Sequence, residues 1–484
     1  MSPRPNSRPV VRHLGHRSDV RFCMEQAFDR LCAMPGCLWL DSASQLSDAE
    51  SSAGESIDDA AAQVGRYSFL TADPVCQLVA GSDDPNPWPQ LDLWQRNLPS
   101  QCDPTLPPFQ GGIAGMIGYE SGAWLEKVGV AAYNDLPTAA MSIGLYDWTV
   151  ALDHHSGDAW IISQGITGDD GYVSTEFATQ RADQFETLLR DCLVRRSEIA
   201  VGDVRKEIAE LDRSNVISNF SSQQFRAAVG EIVRRIRDGD SFQVNLAQRL
   251  LRKANLASPE LYRRLRRANP APFGGYYNGG DFAVLSSSPE GFLTVRDRVV
   301  QTRPIKGTIV RTGDAVRDAE LADQLLCSAK DRAENVMIVD LMRNDLSRVC
   351  TDESVRVRKL CEIERYQYVQ HLVSVVEGHL RDDQTVVDLL RACFPGGSVT
   401  GAPKIEAMRT IAELEPNPRG PYCGSLGYIS CGGAADFNIL IRTITSVDGF
   451  WQIPVGGGIT AQSDPIAEEA ETWAKAEGML RAMQ

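Results

Sequence analysis

The chain has 484 residues, 43% hydrophobic and 23% charged, which suits a soluble globular protein with a large core. Its formal net charge of −15 argues against a nucleic-acid or anionic-membrane surface, and no apolar run approaches the ~20 residues of a membrane span. Twelve scattered cysteines, none in a Cys-x-x-Cys pair, and only six histidines point to buried free thiols in a reducing cytoplasm rather than disulfides, zinc or a histidine metal site. Residues 1–20 carry arginine, proline and serine without an apolar core, and read as a disordered leader rather than a signal peptide. Residues 21–165 read as an N-terminal part of short strands and turns. Within it, 65–70 is a strand, 80–110 a long proline- and aspartate-rich surface loop, and 148–162 two strands around the turn 153–158. The glycine-rich stretch 109–120 lacks the lysine and spacing of a phosphate-binding loop, which favours close strand packing. Residues 166–218 read as a connector, charged and helical over 174–215. The remainder, 219–484, opens with a helix that Ser221 or Ser222 can cap and that Asp238-Gly239-Asp240 stops. A strand at 242–247, a helix at 258–267 and strands at 282–288, 291–296 and 299–303 follow. A long helix over about 319–346 and an amphipathic helix at 465–482 complete the pattern. The class is α+β, with large packed antiparallel sheets flanked by helices.

The chemistry concentrates in the C-terminal half. Lys306 stands in Arg303-Pro304-Ile305-Lys306-Gly307-Thr308, where proline fixes the backbone before it and glycine removes bulk after it. The neighbouring strand 282–288 runs into Pro289-Glu290. An amine and a carboxylate on adjacent strands suit a nucleophile and an acid, although a lone lysine is more often a surface charge. Asp331 and Glu334 share a helix face at i, i+3, and so do Glu468 and Glu471, with Lys475 a further turn on. Two such pairs make a hard-oxygen site for Mg²⁺ if their helices meet, and are ordinary surface decoration if they do not. The turn 394–404, the arginine after the strand at 436–441 and the run Gly456-Gly457-Gly458 can each hold an anion. Together they suggest a polyanionic small molecule.

Six segments carry a resemblance: Phe242-Gln243-Val244-Asn245-Leu246, Ser288-Pro289-Glu290-Gly291-Phe292, Pro304-Ile305-Lys306-Gly307-Thr308, Val339-Asp340-Leu341-Met342-Arg343-Asn344-Asp345, Thr400-Gly401-Ala402-Pro403-Lys404 and Ala467-Glu468-Glu469-Ala470-Glu471-Thr472. In this order they resemble the chorismate-utilising enzymes, from about residue 20 to the end. The resemblance implies that family's fold. It also implies Mg²⁺ on Glu334 and Glu471, with Asp331 and Glu468 nearby or bonded through water. Tyr422, Arg442 and the backbone of Gly457 and Gly458 would bind carboxylates with Lys475 assisting, Thr400 and His371 would line the pocket, and Glu290 would be the general acid. Gln243 stands where the hydrolytic members carry a lysine base, which places this chain among the amine-forming members. Lys306 stands where one amine-forming branch carries alanine and the branch that aminates C4 often carries lysine. The implied reaction joins chorismate and ammonia, with Lys306 either attacking C2 or only hydrogen-bonding substrate. None of the twelve cysteines sits in a glutaminase nucleophile elbow, so ammonia would come from a separate glutaminase subunit. No nucleic acid, no membrane and a cytoplasmic location are expected. Ser42, Asp41, Tyr67, Ser68 and Phe69 resemble segments that hold tryptophan in the amine-forming relatives. Asp41 and Ser42 would bind its amino group, Tyr67 and Phe69 would share one strand face opposite Ser68, and 269–273 would close the pocket.

Overall fold

The computed structural model describes residues 8–14, 20–42, 64–195, 213, 215–366 and 369–484. Two antiparallel sheets dominate it. The twelve-stranded sheet runs from Val10–His13 through Ala159–Ser163, Trp148–Asp153, Tyr67–Thr71, Leu38–Asp41, Phe273–Asn278, Phe282–Ser288, Thr443–Val447, Phe450–Ile459 and Gln243–Lys253 to Ile217–Ser218, with Gly401–Ala402 also paired to Gln243–Lys253. The ten-stranded sheet runs from Ile305–Val310 through Val369–His379, Val299–Thr302, Gly291–Arg296, Ala435–Asn438, Ser425–Ser430, Gly112–Ile117 and Met141–Tyr146 to Cys76–Ala80, with Arg356–Arg365 also on Val369–His379. Strands from both ends of the sequence therefore share each sheet.

The sheets face each other across one apolar layer. Leu38, Phe69, Tyr277, Phe282 and Val284 of the first meet Phe109, Ala114, Met116, Tyr146, Leu426 and Tyr428 on the side of the second. Strands covered on both faces have no solvent side, which is why Gly112–Ile117 and Met141–Tyr146 are buried throughout. Met24–Leu31, Thr175–Leu189, Ser258–Ala268 and Pro465–Ala482 pack outside the first sheet. Trp88–Asn97, Ala329–Ser347 and Val386–Cys393 contribute to the core outside the second. The α+β class with packed sheets and flanking helices is the one expected. Ser222–Asp238 begins at a Ser221–Gln224 capping box and ends at Gly239, whose φ of +94° suits only glycine well. Among the described residues no helix is long and apolar enough to cross a membrane, and all twelve cysteines are free thiols.

Four expectations need correction. Val10–His13, expected in a disordered leader, pairs with Ala159–Ser163; residues 1–7 and 15–19 of that leader lie outside the described ones. The supposed loop 80–110 contains the helix Trp88–Asn97. A proline in its first turn is tolerated there, and Trp88, Leu91 and Trp94 bury one face. Among its described residues the connector is helical over Thr175–Leu189, capped by Ser174. Leu193–Arg195 then pairs with Val20–Phe22, and 196–212 and 214 lie outside the described residues. The long helix at 319–346 is two helices, Ala315–Cys327 and Ala329–Ser347. Ser328 ends the first and caps the second by accepting the Asp331 N–H.

Candidate active site

The site is built where Ala329–Ser347 packs on Ile305–Val310 and Val369–His379, and Pro465–Ala482 packs on Phe450–Ile459. Lys306 pairs with Leu372 and Thr308 with His371, so the ladder slips by one residue at Gly307. Gly307 has a φ of +78° and lies against Leu325 and Asp331, where a side chain would collide. The bulge thus turns Lys306 inward. Its Nζ donates to the Ser398 carbonyl at 3.3 Å. Burial pulls its pKa down from the usual lysine range, while Glu334, Glu290 and Glu471 pull it back up and Lys475 adds to the depression.

Glu290 is buried at the end of Phe282–Ser288. Its N–H donates to Ser288 Oγ at 3.2 Å, and its carbonyl accepts from the Ile439 N–H at 3.0 Å. Burial pushes its carboxyl up to about 6, against the lowering pull of the Ser398 side chain, Lys306 and the Ile305 N–H. A carboxylic acid with that pKa can deliver a proton near neutrality.

The two acidic helix faces do meet. Gly457, on Phe450–Ile459, lies against the face of Pro465–Ala482 that carries Glu468, Glu471 and Lys475. A methyl built on it would stand 3.3 Å from Glu468 Oε2, 3.5 Å from Lys475 Nζ and 3.6 Å from Glu471 Oε1. Glu334 and Glu468 repel each other across the gap, and Lys330 faces Glu334, Glu468 and Glu471. Burial raises the pKa of Glu334 and of Glu468. Burial acts upward on Glu471 too, but its ion pair with Lys475 at 2.7 Å helps to bring the net shift down. Glu334 Oε1 is buried without a hydrogen-bond partner, and Ser463 Oγ donates to Glu468 Oε1 at 2.6 Å. Asp331 is partly spent, because its carboxylate accepts from the Ser328 hydroxyl. Among the described residues no three His, Cys, Asp or Glu side chains gather at metal-ligand spacing; the acids come as facing pairs. An orphaned carboxylate oxygen opposite a second raised carboxylate suits a divalent ion that takes a few protein oxygens and completes its shell with water and substrate.

The remaining expected residues ring this cleft. Arg442, with a φ of +51°, senses Tyr422 and Glu471, and burial lowers its pKa. His371 is held neutral, down to about 4, by burial and by Arg442, and its Nδ1 bonds the Thr308 hydroxyl at 2.9 Å. Lys475 Nζ donates to the Gly456 carbonyl at 2.9 Å. Gln243 is fully buried against Gly458, with neither amide atom paired. The Thr400 hydroxyl donates to the Gly396 carbonyl at 3.0 Å, so this side chain ties its own turn. Lys404, at the end of the expected anion-binding turn, is committed to Asp345 and the Cys393 carbonyl, each at 2.6 Å. Sequence reasoning passed over two residues. Ser398, whose carbonyl accepts from Lys306 and whose side chain acts to lower the Glu290 pKa, lay inside the flagged turn. Lys330 faces the acids one helical turn before Glu334.

A second cleft lies between the sheets, enclosing about 380 Å³, part of it open to solvent. Leu40, Asp41, Ser42, Tyr67, Phe69, Phe273, Tyr428 and Asp436 are among its lining residues. Tyr67 and Phe69 face it, while Ser68 turns away to accept the Ser42 N–H at 3.0 Å and bond His154 at 2.7 Å. Asp41 lines this cleft with its carboxylate gripped by Arg266 at 2.7 Å and by the Tyr262 hydroxyl at 3.1 Å, and Asp436, 3.6 Å from Arg296, is a second acid in it.

Two face-packed sheets thus carry, in one cluster, a buried acid, a depressed lysine and facing carboxylate pairs on an α+β fold. Residues 47–481 match the chorismate binding enzymes, and the chain belongs to that family: it is a chorismate-utilising enzyme. Aminodeoxychorismate synthase component 1 of Salmonella typhimurium is 38% identical over 445 residues, covering 88% of this chain and 91% of that protein. Anthranilate synthase component 1 of Streptomyces coelicolor is 36% identical over 426 residues, covering 87% and 81%. The crystal structure of anthranilate synthase component I from Streptococcus pneumoniae superposes with a TM-score of 0.73 at 32% identity, covering 88% of this chain and 93% of that one.

Proposed function

We propose that this chain is the chorismate-aminating component of an aminodeoxychorismate synthase, joining chorismate and ammonia into 4-amino-4-deoxychorismate on the route to 4-aminobenzoate and folate. The observation that carries this reading is Lys306, turned inward by the Gly307 bulge onto the Ser398 carbonyl, where Glu290 and Lys306 feel each other's charge. Neutral Lys306 attacks C2 of chorismate. Both ring double bonds shift, C1=C2 to C1=C6 and C5=C6 to C4=C5, the C4–O bond breaks, and Glu290 gives its proton to the leaving hydroxyl, which departs as water. Ammonia then adds at C4, both double bonds return, and the lysine leaves from C2. A desolvated amine is the more nucleophilic form. Gln243 stands where a water-activating base would be needed, and an amide cannot serve as one.

Arg442 and the Gly457 and Gly458 backbone hold the substrate carboxylates, with Tyr422, His371, Thr400 and Lys475 around them. Mg²⁺ fits Glu334 and Glu471, with Glu468 and Asp331 behind them, and when bound it neutralises the ring carboxylate. Ammonia is delivered by a glutaminase subunit in the cytoplasm. The cleft between the sheets is read as a tryptophan site. Tyr67, Phe69 and Phe273 offer aromatic faces, and Asp41 and Asp436 are the acids that would meet its amino group.

The deciding experiment is product identification from chorismate, Mg²⁺ and an ammonium salt. Aminodeoxychorismate supports the reading, and anthranilate with pyruvate would refute it. Incubation without ammonia should add the mass of chorismate less water to the peptide containing Lys306.

A further inference from the structure

Asn245 sits on Gln243–Lys253, directly across the ladder from Gly458. It is two residues from Gln243, so both side chains leave the face of the strand on which Gln243 meets Gly458. Asn245 is buried, and three of its polar atoms are tied to different segments. Its N–H donates to the Thr400 carbonyl at 2.8 Å, its carbonyl accepts from Arg419 at 3.0 Å, and its Nδ2 donates to the Ser398 carbonyl at 3.0 Å. That last acceptor is the carbonyl that takes Lys306 Nζ at 3.3 Å. The strand is firmly held at this point. Arg419, paired with Glu415 at 2.6 Å, also donates to the Val399 carbonyl at 2.9 Å, and Glu415 accepts the Ala247 N–H at 2.8 Å.

We infer that Asn245 is a positioning residue that sets the direction of the Lys306 amine by holding the Ser398 carbonyl that anchors it. The inference rests on the reading that Lys306 attacks substrate. A carbonyl oxygen has two lone pairs, so Asn245 and Lys306 share this one. Ser398 lies in the short 3₁₀ turn Gly397–Val399. The internal bonds of that turn are long, 3.3 Å from the Val399 N–H to the Gly396 carbonyl and 3.4 Å from the Thr400 N–H to the Gly397 carbonyl, and neither uses the Ser398 carbonyl. The Asn245 amide supplies what the turn lacks, because it stands on a strand whose own place is set by Arg419 and by the ladder to Gly458. Lys306 has a flexible four-carbon stem, whose rotamers would otherwise spread the amine over the cleft. One carbonyl in a fixed place selects among them. It engages an N–H, which leaves the lone pair of the neutral amine for the substrate carbon. Substitutions at Ser398 leave its carbonyl where it is, so Asn245 is the position at which this anchor is open to mutation.

Two variants remove the donor. Asn245→Leu replaces the amide by an apolar group of similar size, and Asn245→Asp keeps the shape but offers a carboxylate, which only accepts. In both, the rate at which chorismate adds to Lys306 without ammonia should fall about 10- to 100-fold, the loss a misplaced reacting group causes. Turnover with an ammonium salt should fall alongside it. The KM for chorismate should stay within about twofold, because Asn245 is not among the groups that hold the substrate carboxylates, whereas a general loosening of the cleft would raise it. A crystal structure of either variant should show Lys306 Nζ out of hydrogen-bond reach of the Ser398 carbonyl. A variant that melts at the original temperature and forms the adduct at the original rate would overturn the inference. So would a variant structure in which Lys306 keeps its bond to Ser398. No adduct on the unaltered enzyme would sink the nucleophile reading and the role of Asn245 with it. A normal adduct there, formed as fast in both variants, would remove the role of Asn245 alone.

Discussion

Gly457→Ala tests whether the acidic face of Pro465–Ala482 forms part of the site. The strand Phe450–Ile459 has ordinary extended geometry at this position, since Gly457 is not among the residues with positive φ. Alanine there loses less backbone entropy on folding than glycine, which alone would stabilise the chain by about 0.4–1 kcal/mol. The new methyl would meet Glu468 Oε2 at 3.3 Å, Lys475 Nζ at 3.5 Å and Glu471 Oε1 at 3.6 Å. These are ends of side chains, which can give by a few tenths of an ångström, so the fold should melt within a few degrees of the original. The site has no such slack. A divalent ion on Glu471 and a substrate carboxylate on the Gly457 backbone would have to share the space that the methyl fills, so the methyl would compete with both. The expected result is a 10- to 100-fold rise in the Mg²⁺ needed for half-maximal turnover, about 1.4–2.8 kcal/mol, with a comparable loss of chorismate affinity and an unchanged melting curve. Isothermal titration with Mg²⁺, alongside steady-state rates, measures this. Turnover and Mg²⁺ half-saturation within about twofold of the original, in a protein that melts normally, would show that Gly457 is not the floor of the site.

Other expectations follow from the same geometry. Lys306→Ala should abolish the covalent adduct and lower turnover by at least about 10²-fold, whereas a lysine that only bonds substrate would leave most of kcat intact. Glu290→Gln should cost about 10²–10⁴-fold in kcat and remove the inflection near pH 6, as loss of a general acid does. Millimolar tryptophan should raise the melting temperature with concentration, and Phe69→Ala should abolish the shift; no heat and no shift would reject that cleft as a tryptophan site. Glu120, which accepts the N–H groups of Arg419 and Gly420 at 2.8 and 2.9 Å, has its pKa raised by burial to about 7. The folded chain then binds the proton more tightly than the unfolded one. Its contribution is therefore fully present below about pH 4.5 and is lost as pH rises through about 7, by up to about 3 kcal/mol. Urea unfolding at pH 5 and pH 8 should show that drop, and Glu120→Gln should flatten it.

What was legible in the sequence was local. Pro304 and Gly307 bracket Lys306 within four residues, so the bulge and the inward lysine leave a mark in the chain itself. The i, i+3 spacing of Asp331 with Glu334 and of Glu468 with Glu471 marks a helix face in the same way. That the faces meet depends on strands 305–310 and 450–459, whose sheet positions no spacing encodes. Asp41 shows the same limit from the other side. Its partners Tyr262 and Arg266 lie more than 200 residues away, so a carboxylate that looked free for a ligand was already committed. The helix Trp88–Asn97 hid behind prolines that its first turn tolerates, and only its three buried apolar positions, Trp88, Leu91 and Trp94, betray it. Ser328 hid differently: a single capping serine inside a helical pattern reads as a polar surface residue until its hydroxyl is seen on the Asp331 N–H.

The two clefts are joined by one short stretch of chain. Asp436 and Asn438 line the cleft between the sheets. The next residue, Ile439, donates its N–H to the Glu290 carbonyl and accepts from the Ser288 hydroxyl at 2.5 Å. Three residues further, the Arg442 carbonyl accepts the Ser287 N–H at 3.1 Å, and its side chain enters the site. The segment cannot slide freely at either end. Asn438 is fixed by the Phe273 carbonyl at 2.7 Å and the Leu426 N–H at 2.9 Å. A ligand that moves Asp436 or Asn438 must therefore strain the bonds on Ile439 or shift the strand end that carries Glu290. Contiguity alone does not make two sites energetically coupled. It does fix where coupling would act: on the placement of Glu290 and Arg442, and so on chorismate affinity and the acid step, with chorismate exerting the same free energy back on the cleft between the sheets.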